Sequence, residues 1–251
     1  MSHDLTTGGG TSLQEGISSA PQPSLYIVQL RYATLPHCLR AIAVHYWFVV
    51  VDSPAGQWHR WEVWQAKNAG GQSLGYVHCD RRHPDCGVGG GPYRLAAEWR
   101  GSAAQAIYTV LTKVQDYPFW DRYRAWPGPN SNTFVAWVLR QAGLDHALDP
   151  RAIGKDYIGL LGMRRSSRLA CTQLETFLLG VKISLHDGVE LHGLGFTWGL
   201  RWSPLEVYTP FGRVGLRKSV LLGRNDCRTS TAVKVPAVYD AGCGRVIDTG
   251  K

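Results

Sequence analysis

Three residues of this chain have the types and surroundings that covalent catalysis needs: Ser131, His45 and Glu62. Ser131 lies in AWPGPNSNTF (125–134), where prolines, a glycine and small hydrogen-bonding residues deliver an apolar run that reads as a helix. A hydroxyl at a helix start gains from the macrodipole and from unpaired backbone N–H groups that can donate to an oxyanion. The same place suits a cap, because Asn, Ser and Thr are the best N-capping residues. Spacing alone leaves both roles open for Ser131. Asn130 and Asn132 flank it as site-shaping residues, and the helix-start amides near Asn132 are the expected oxyanion donors.

Attack by serine requires a base in direct reach, since a hydroxyl is far harder to ionise than a thiol. His45 is the candidate, because it interrupts the apolar run AIAVHYWFVVV (41–51), where a buried imidazole must find partners. A satisfied core histidine is the competing reading. Glu62 sits between tryptophans in WHRWEVWQ (58–65). Pairing about a turn near residues 53–54 sets it opposite His45, where it would orient the ring; a slip by one turns it away. His59, on the other face of that strand, is the alternative.

No metal or cofactor is expected. In HCDRRHPDC the residues His78, Cys79, His83 and Cys86 lack the short Cys spacing and second pair of a structural zinc site. GVGGGP (87–92) lacks the lysine and hydroxyl residue of a phosphate loop. The six cysteines are expected reduced and scattered.

The elements that must position these groups begin near Leu25. The pattern predicts strands over 25–34, 41–51 and 58–65, with 41–65 as a hairpin. Residues 66–93 read as irregular. A first helix starts at Ser102 as N-cap, carries Ala106, Ile107, Val110, Leu111 and Val114 at helical spacing, and stops at Pro118. A second helix covers about 132–142, with Gly143 at its C-terminal cap. Beyond 155 the chain turns glycine-rich and β-like, with strands at 181–185, 188–202 and 205–215.

At 251 residues with 44% hydrophobic content the chain can bury a sizeable core. Residues 1–24 read as a polar, disordered leader and 223–251 as a loosely attached tail, leaving 25–222 as one domain. No apolar stretch is long enough to span a bilayer as a helix, so a cytoplasmic location is expected. The net charge of +8 concentrates at Arg164, Arg165 and Arg168 and again at Arg213, Arg217, Lys218, Arg224 and Arg228. Such a face can meet an anionic ligand or a membrane surface, and more often is simply solvated. No zinc module or aromatic-rich basic motif accompanies it, so nucleic acid is not the expected partner.

The run YPFWDRYRAWPGPNSNTFVAWVLRQAG, followed by AIGKDY (152–157), GVELHGLGFTWGL and PFGRVG, resembles the bacterial family catalogued as domain of unknown function 3750. A strand histidine followed by an Asn-nucleophile-Asn-x-Phe helix start more distantly resembles the circularly permuted NlpC-type papain-like proteins, which include the lecithin:retinol acyltransferase relatives. That resemblance implies an α+β fold with a permuted papain-like core, its antiparallel sheet packed on the nucleophile-bearing helix, and a β-rich C-terminal extension. It implies His45 as base, Glu62 as orienting group and Ser131 where those proteins carry cysteine. The expected function is a serine hydrolase or acyltransferase acting on an amide or ester, with a peptide or lipid acyl group as substrate. The alternative is an inactive scaffold that binds an anionic ligand or makes peripheral contact with a membrane.

Overall fold

The computed structural model describes residues 26–36, 39, 41–52, 56–88, 92–144, 146–166, 170–186, 188–203 and 205–215. The expected leader and tail, with Arg168, Arg217, Lys218, Arg224 and Arg228, lie outside the described residues. The first half holds β1 (Tyr26–Thr34), β2 (Val44–Asp52), β3 (Gln57–Val63), β4 (Gln72–Leu74), β5 (Val77–Cys79) and β6 (Arg94–Trp99). Helices α1 (Gly101–Leu111) and α2 (Ser131–Gln141) follow. Then come β7 (Leu161–Ser166), β8 (Cys171–Thr176), β9 (Leu179–Ser184), β10 (Gly188–Gly193), β11 (Phe196–Trp202), β12 (Leu205–Thr209) and β13 (Gly212–Gly215).

These strands form two antiparallel sheets: one of six strands in the order β4-β5-β3-β2-β1-β6, and a meander of seven from β13 back to β7. The expectation of an α+β, permuted papain-like core is therefore corrected. Antiparallel sheet dominates, only two α-helices accompany it among the described residues, and the C-terminal strands make a second full sheet rather than an extension. Strands β4 to β8 escape a periodicity reading because they are short or polar, as in QSL and CTQLET, and carry little alternating apolar signal.

Alternation along β1 and β2 gives the first sheet two different faces. Val28, Leu30, Val44, Tyr46, Phe48 and Val50 join the main core with Ala104, Ile107 and Leu111 of α1 and Phe134, Val135 and Val138 of α2. Each buried Val, Leu, Ile or Phe among them contributes roughly 1.5–3 kcal/mol on burial. The opposite face carries Arg31, His45, Trp47, Val49, Arg60 and Glu62, and a smaller cluster of Ala33, Trp47, Val49 and Val88 packs there. Arg31 reaches Pro84 O and Asp85, and Arg60 reaches the His83 and Cys86 carbonyls, so the segment 83–88 is held over this second face.

The second sheet reverses the usual arrangement. Its inner face buries Gln173, Glu175, Ser184, His192 and Thr197, while Leu174, Ile183, Leu191 and Val207 on the outer face are 45–56% exposed. No helix among the described residues is long and apolar enough to cross a membrane.

Candidate functional site

The site grows from the start of α2. Asn130 is its N-cap: the side-chain Oδ1 accepts from the N–H groups of Asn132 and Thr133, while Thr133 Oγ1 accepts from Asn130 N–H. This reciprocal box satisfies the cap without Ser131, which occupies the first helical position. Neither the hydroxyl nor the N–H of Ser131 makes a hydrogen bond among the described residues, and Ser131 is 6% exposed. The N–H of Asn132, an expected oxyanion donor, donates to Asn130 Oδ1. The free donor at this helix start is the N–H of Ser131 itself.

AIGKDY docks against the cap, which is why the two motifs occur together. Asn130 Nδ2 and Asn132 Nδ2 both donate to Ile153 O, and Thr133 Oγ1 donates to Gly154 O at 2.6 Å. Gly154 has φ +86°, and a Cβ there would stand 2.5 Å from the Asn130 amide. Only glycine fits.

Asn132 also ties α2 to the strand that carries His45. Its Oδ1 accepts from Tyr46 N–H at 3.2 Å and its Nδ2 donates to Val44 O at 2.9 Å. The β2–β3 ladder runs only as far as Phe48–Trp61, so the edge of β2 beyond it is free to be taken by this amide and by Arg151 O, which accepts from Val44 N–H. The two residues flanking His45 are thus anchored to Asn132, the residue following the nucleophile candidate, and Val44 also to Arg151, just before AIGKDY.

His45 Nε2 lies 3.3 Å from Glu62 Oε2. The observed register, Phe48 with Trp61, sets Glu62 diagonal to His45 rather than opposite it, on the same face. His59, by contrast, pairs with Asp80 at 2.6 Å, away from His45. Arg60 Nη2 donates to Glu62 Oε2 at 2.8 Å, and its guanidinium lies 4.3 Å from the Trp47 ring centroid. Trp64 stands edge-on to the imidazole at 5.4 Å. Burial lowers the His45 pKa more than Glu62 raises it, so the ring is neutral at pH 7. Burial alone would raise the Glu62 carboxyl, but hydrogen bonding from His45 and the charge of Arg60 hold it at about 2. A neutral imidazole donating through Nε2 keeps Nδ1 as an acceptor, the form a general base requires. No hydrogen bond joins His45 to Ser131 among the described residues; the structure unites His45 with Glu62, and links Ser131 to them through Asn132 and the β2 edge.

A second polar centre was not singled out by chemistry in the sequence. Asp156 Oδ2 meets Lys155 Nζ at 2.5 Å and Thr197 Oγ1 at 3.0 Å, and His192 lies between Glu175, Glu190 and Asp156. Burial would lower the His192 pKa, but these carboxylates raise it to about 9. Asp156, Glu190 and His192 are close enough to share a metal ion. Lys155 and Lys182 already neutralise those carboxylates, however, so a cation would have to displace two ammonium groups. Among the described residues Cys79 is a thiol, whereas Cys86 is disulfide-bonded. That corrects the expectation of wholly reduced thiols. His78 is held by Ser73 Oγ and Ala66 O instead of turning toward Cys86.

No curated protein and no solved structure matches the chain. One family model does, over residues 25–157, a span that takes in the first sheet, both helices and AIGKDY but not the second sheet, so the GVEL and PFGRVG stretches stand beyond it. On that match the chain belongs to the family described as "Protein of unknown function (DUF3750)".

Proposed function

We propose that the chain is a serine-dependent hydrolase or acyltransferase acting on an amide or ester. Ser131 attacks the carbonyl carbon, His45 takes the hydroxyl proton at Nδ1, and the acyl group passes to water or an acceptor alcohol or amine after the leaving group departs with that proton. Glu62 holds the ring through Nε2 and offsets its charge, with Arg60 fixing the carboxylate. The N–H of Ser131 donates to the developing oxyanion. The observation that carries this reading is the Asn132 clamp. Its side chain grips the backbone on both sides of His45 while the preceding serine keeps both its polar groups uncommitted. Hydrolysis of p-nitrophenyl esters by the purified protein tests it. Turnover should fall by about 10²–10⁴ in His45→Ala, as expected for loss of a general base; equal turnover in the variant would refute the assignment.

A second reading, peripheral contact with a membrane, is favoured by the outward apolar face of the second sheet. Contiguous exposed apolar surface of this kind marks interaction sites. Sedimentation with anionic liposomes should be lost in a Leu174→Ser/Ile183→Ser/Leu191→Ser variant, and unchanged sedimentation would remove the reading.

A further inference from the structure

A cavity of about 550 Å³ lies between the C-terminal half of α2 and the inner face of the second sheet, away from His45 and Ser131. Six lysine and arginine side chains line it against two carboxylates. Both carboxylates, Asp156 and Glu190, are already ion-paired to Lys155 and Lys182. Arg201 is paired to Glu206. Arg140, from the last turn of α2, and Arg164, from β7, have no ion pair or hydrogen bond among the described residues, and Arg140 Nε and Arg164 Nη1 are buried without a partner. Burial, and then the repulsion of the nearby Arg164, lowers the pKa of Arg140 to about 9. Partly buried guanidinium groups without an ion pair of their own are costly to desolvate, and two facing one cavity favour an anion there. Guanidinium forks match carboxylate and phosphate oxygens.

The α2 side of the wall carries an apolar strip, Ala136, Leu139, Leu144 and Leu148, while Gln141, His146, Gln173 and Tyr208 add polar groups elsewhere. The volume suits a small organic molecule rather than a bare ion. We propose that this cavity binds an amphiphilic organic anion, its carboxylate or phosphate head between Arg140 and Arg164 and its apolar body along Leu139, Leu144 and Leu148. The site stands apart from the Ser131 chemistry and does not depend on it.

Isothermal titration calorimetry on the full chain tests this with decanoate, decyl phosphate, inorganic phosphate and decyltrimethylammonium, each below its micellar concentration. One or both decyl anions should bind with 1:1 stoichiometry, the stronger of the two naming the head group. Arg140→Gln and Arg164→Gln should each weaken that binding tenfold or more, with circular dichroism unchanged; if one variant fails to fold, the other decides. The proposal is overturned if neither anion binds, if the decyl cation binds equally well, if inorganic phosphate matches the decyl anions, or if folded variants bind like the parent.

Discussion

Asn130 and Thr133 cap each other, so Ser131 carries no capping duty at the start of α2. Asn130 and Ser131 therefore separate cleanly in stability. Asn130→Ala should cost about 1–2 kcal/mol or more, since the cap and two carbonyl contacts go with it. Ser131→Ala should stay within about 0.5 kcal/mol of the parent. Urea melts read both; a comparable loss in Ser131→Ala would return the serine to a structural role.

The Asn132 clamp should be the more sensitive joint. Asn132→Ala leaves Val44 O and Tyr46 N–H without the partners they have in a buried setting. A loss of about 2–6 kcal/mol is expected, at roughly 1–3 kcal/mol for each of the two orphaned groups. A change below 1 kcal/mol in the same melts would mean that α2 docks on β2 by apolar packing alone.

Arg60 and Glu62 are both fully buried, so breaking the pair should hurt more than replacing it. Arg60→Met alone strands the Glu62 carboxylate and should cost about 3–5 kcal/mol. The double variant Arg60→Met/Glu62→Leu should recover much of that loss. Additive single effects in the double-mutant cycle would contradict the coupling.

Stability should fall toward both ends of the pH scale for different reasons. His45 is neutral when folded, so the unfolded chain binds more protons below about 6.5, and its contribution is present above that pH and lost as pH falls. Glu62, held at about 2 against an ordinary 4.5, adds stability that is full above 4.5 and lost toward 2. His192 has the opposite sign: raised from 6.5 to about 9, it stabilises below 6.5 and that gain disappears as pH rises to 9. Urea midpoints across pH should peak near neutrality, and His192→Asn should flatten the alkaline side. An unchanged alkaline side would show that His192 is not held charged by its carboxylates.

The hairpin carrying His45 and Glu62 was legible because β2 is strongly apolar, β3 is marked by its tryptophans, and turn residues separate them. Glu62 could be placed on the His45 face because a register error of two preserves the face. The helix start was equally legible, but its cap was not: Asn130, Ser131, Asn132 and Thr133 all suit capping, and only the backbone decides which one turns inward. The second sheet defeated sequence reading for a physical reason. Glu175, Glu190 and His192 sit on alternating positions that a core-inward rule assigns to solvent, whereas the structure buries Glu175 and His192, partly buries Glu190, and exposes Leu174 and Leu191. Its polar interior rests on pairings between strands and the AIGKDY loop, which no single segment reveals.

The central claim is that Ser131 is a nucleophile served by His45. Incubation with a fluorophosphonate, followed by intact-mass and peptide mass spectrometry, should show one adduct on Ser131 in the parent, none in Ser131→Ala, and strongly slowed labelling in His45→Ala. An unmodified parent, or labelling of Ser131 that proceeds equally without His45, would contradict it.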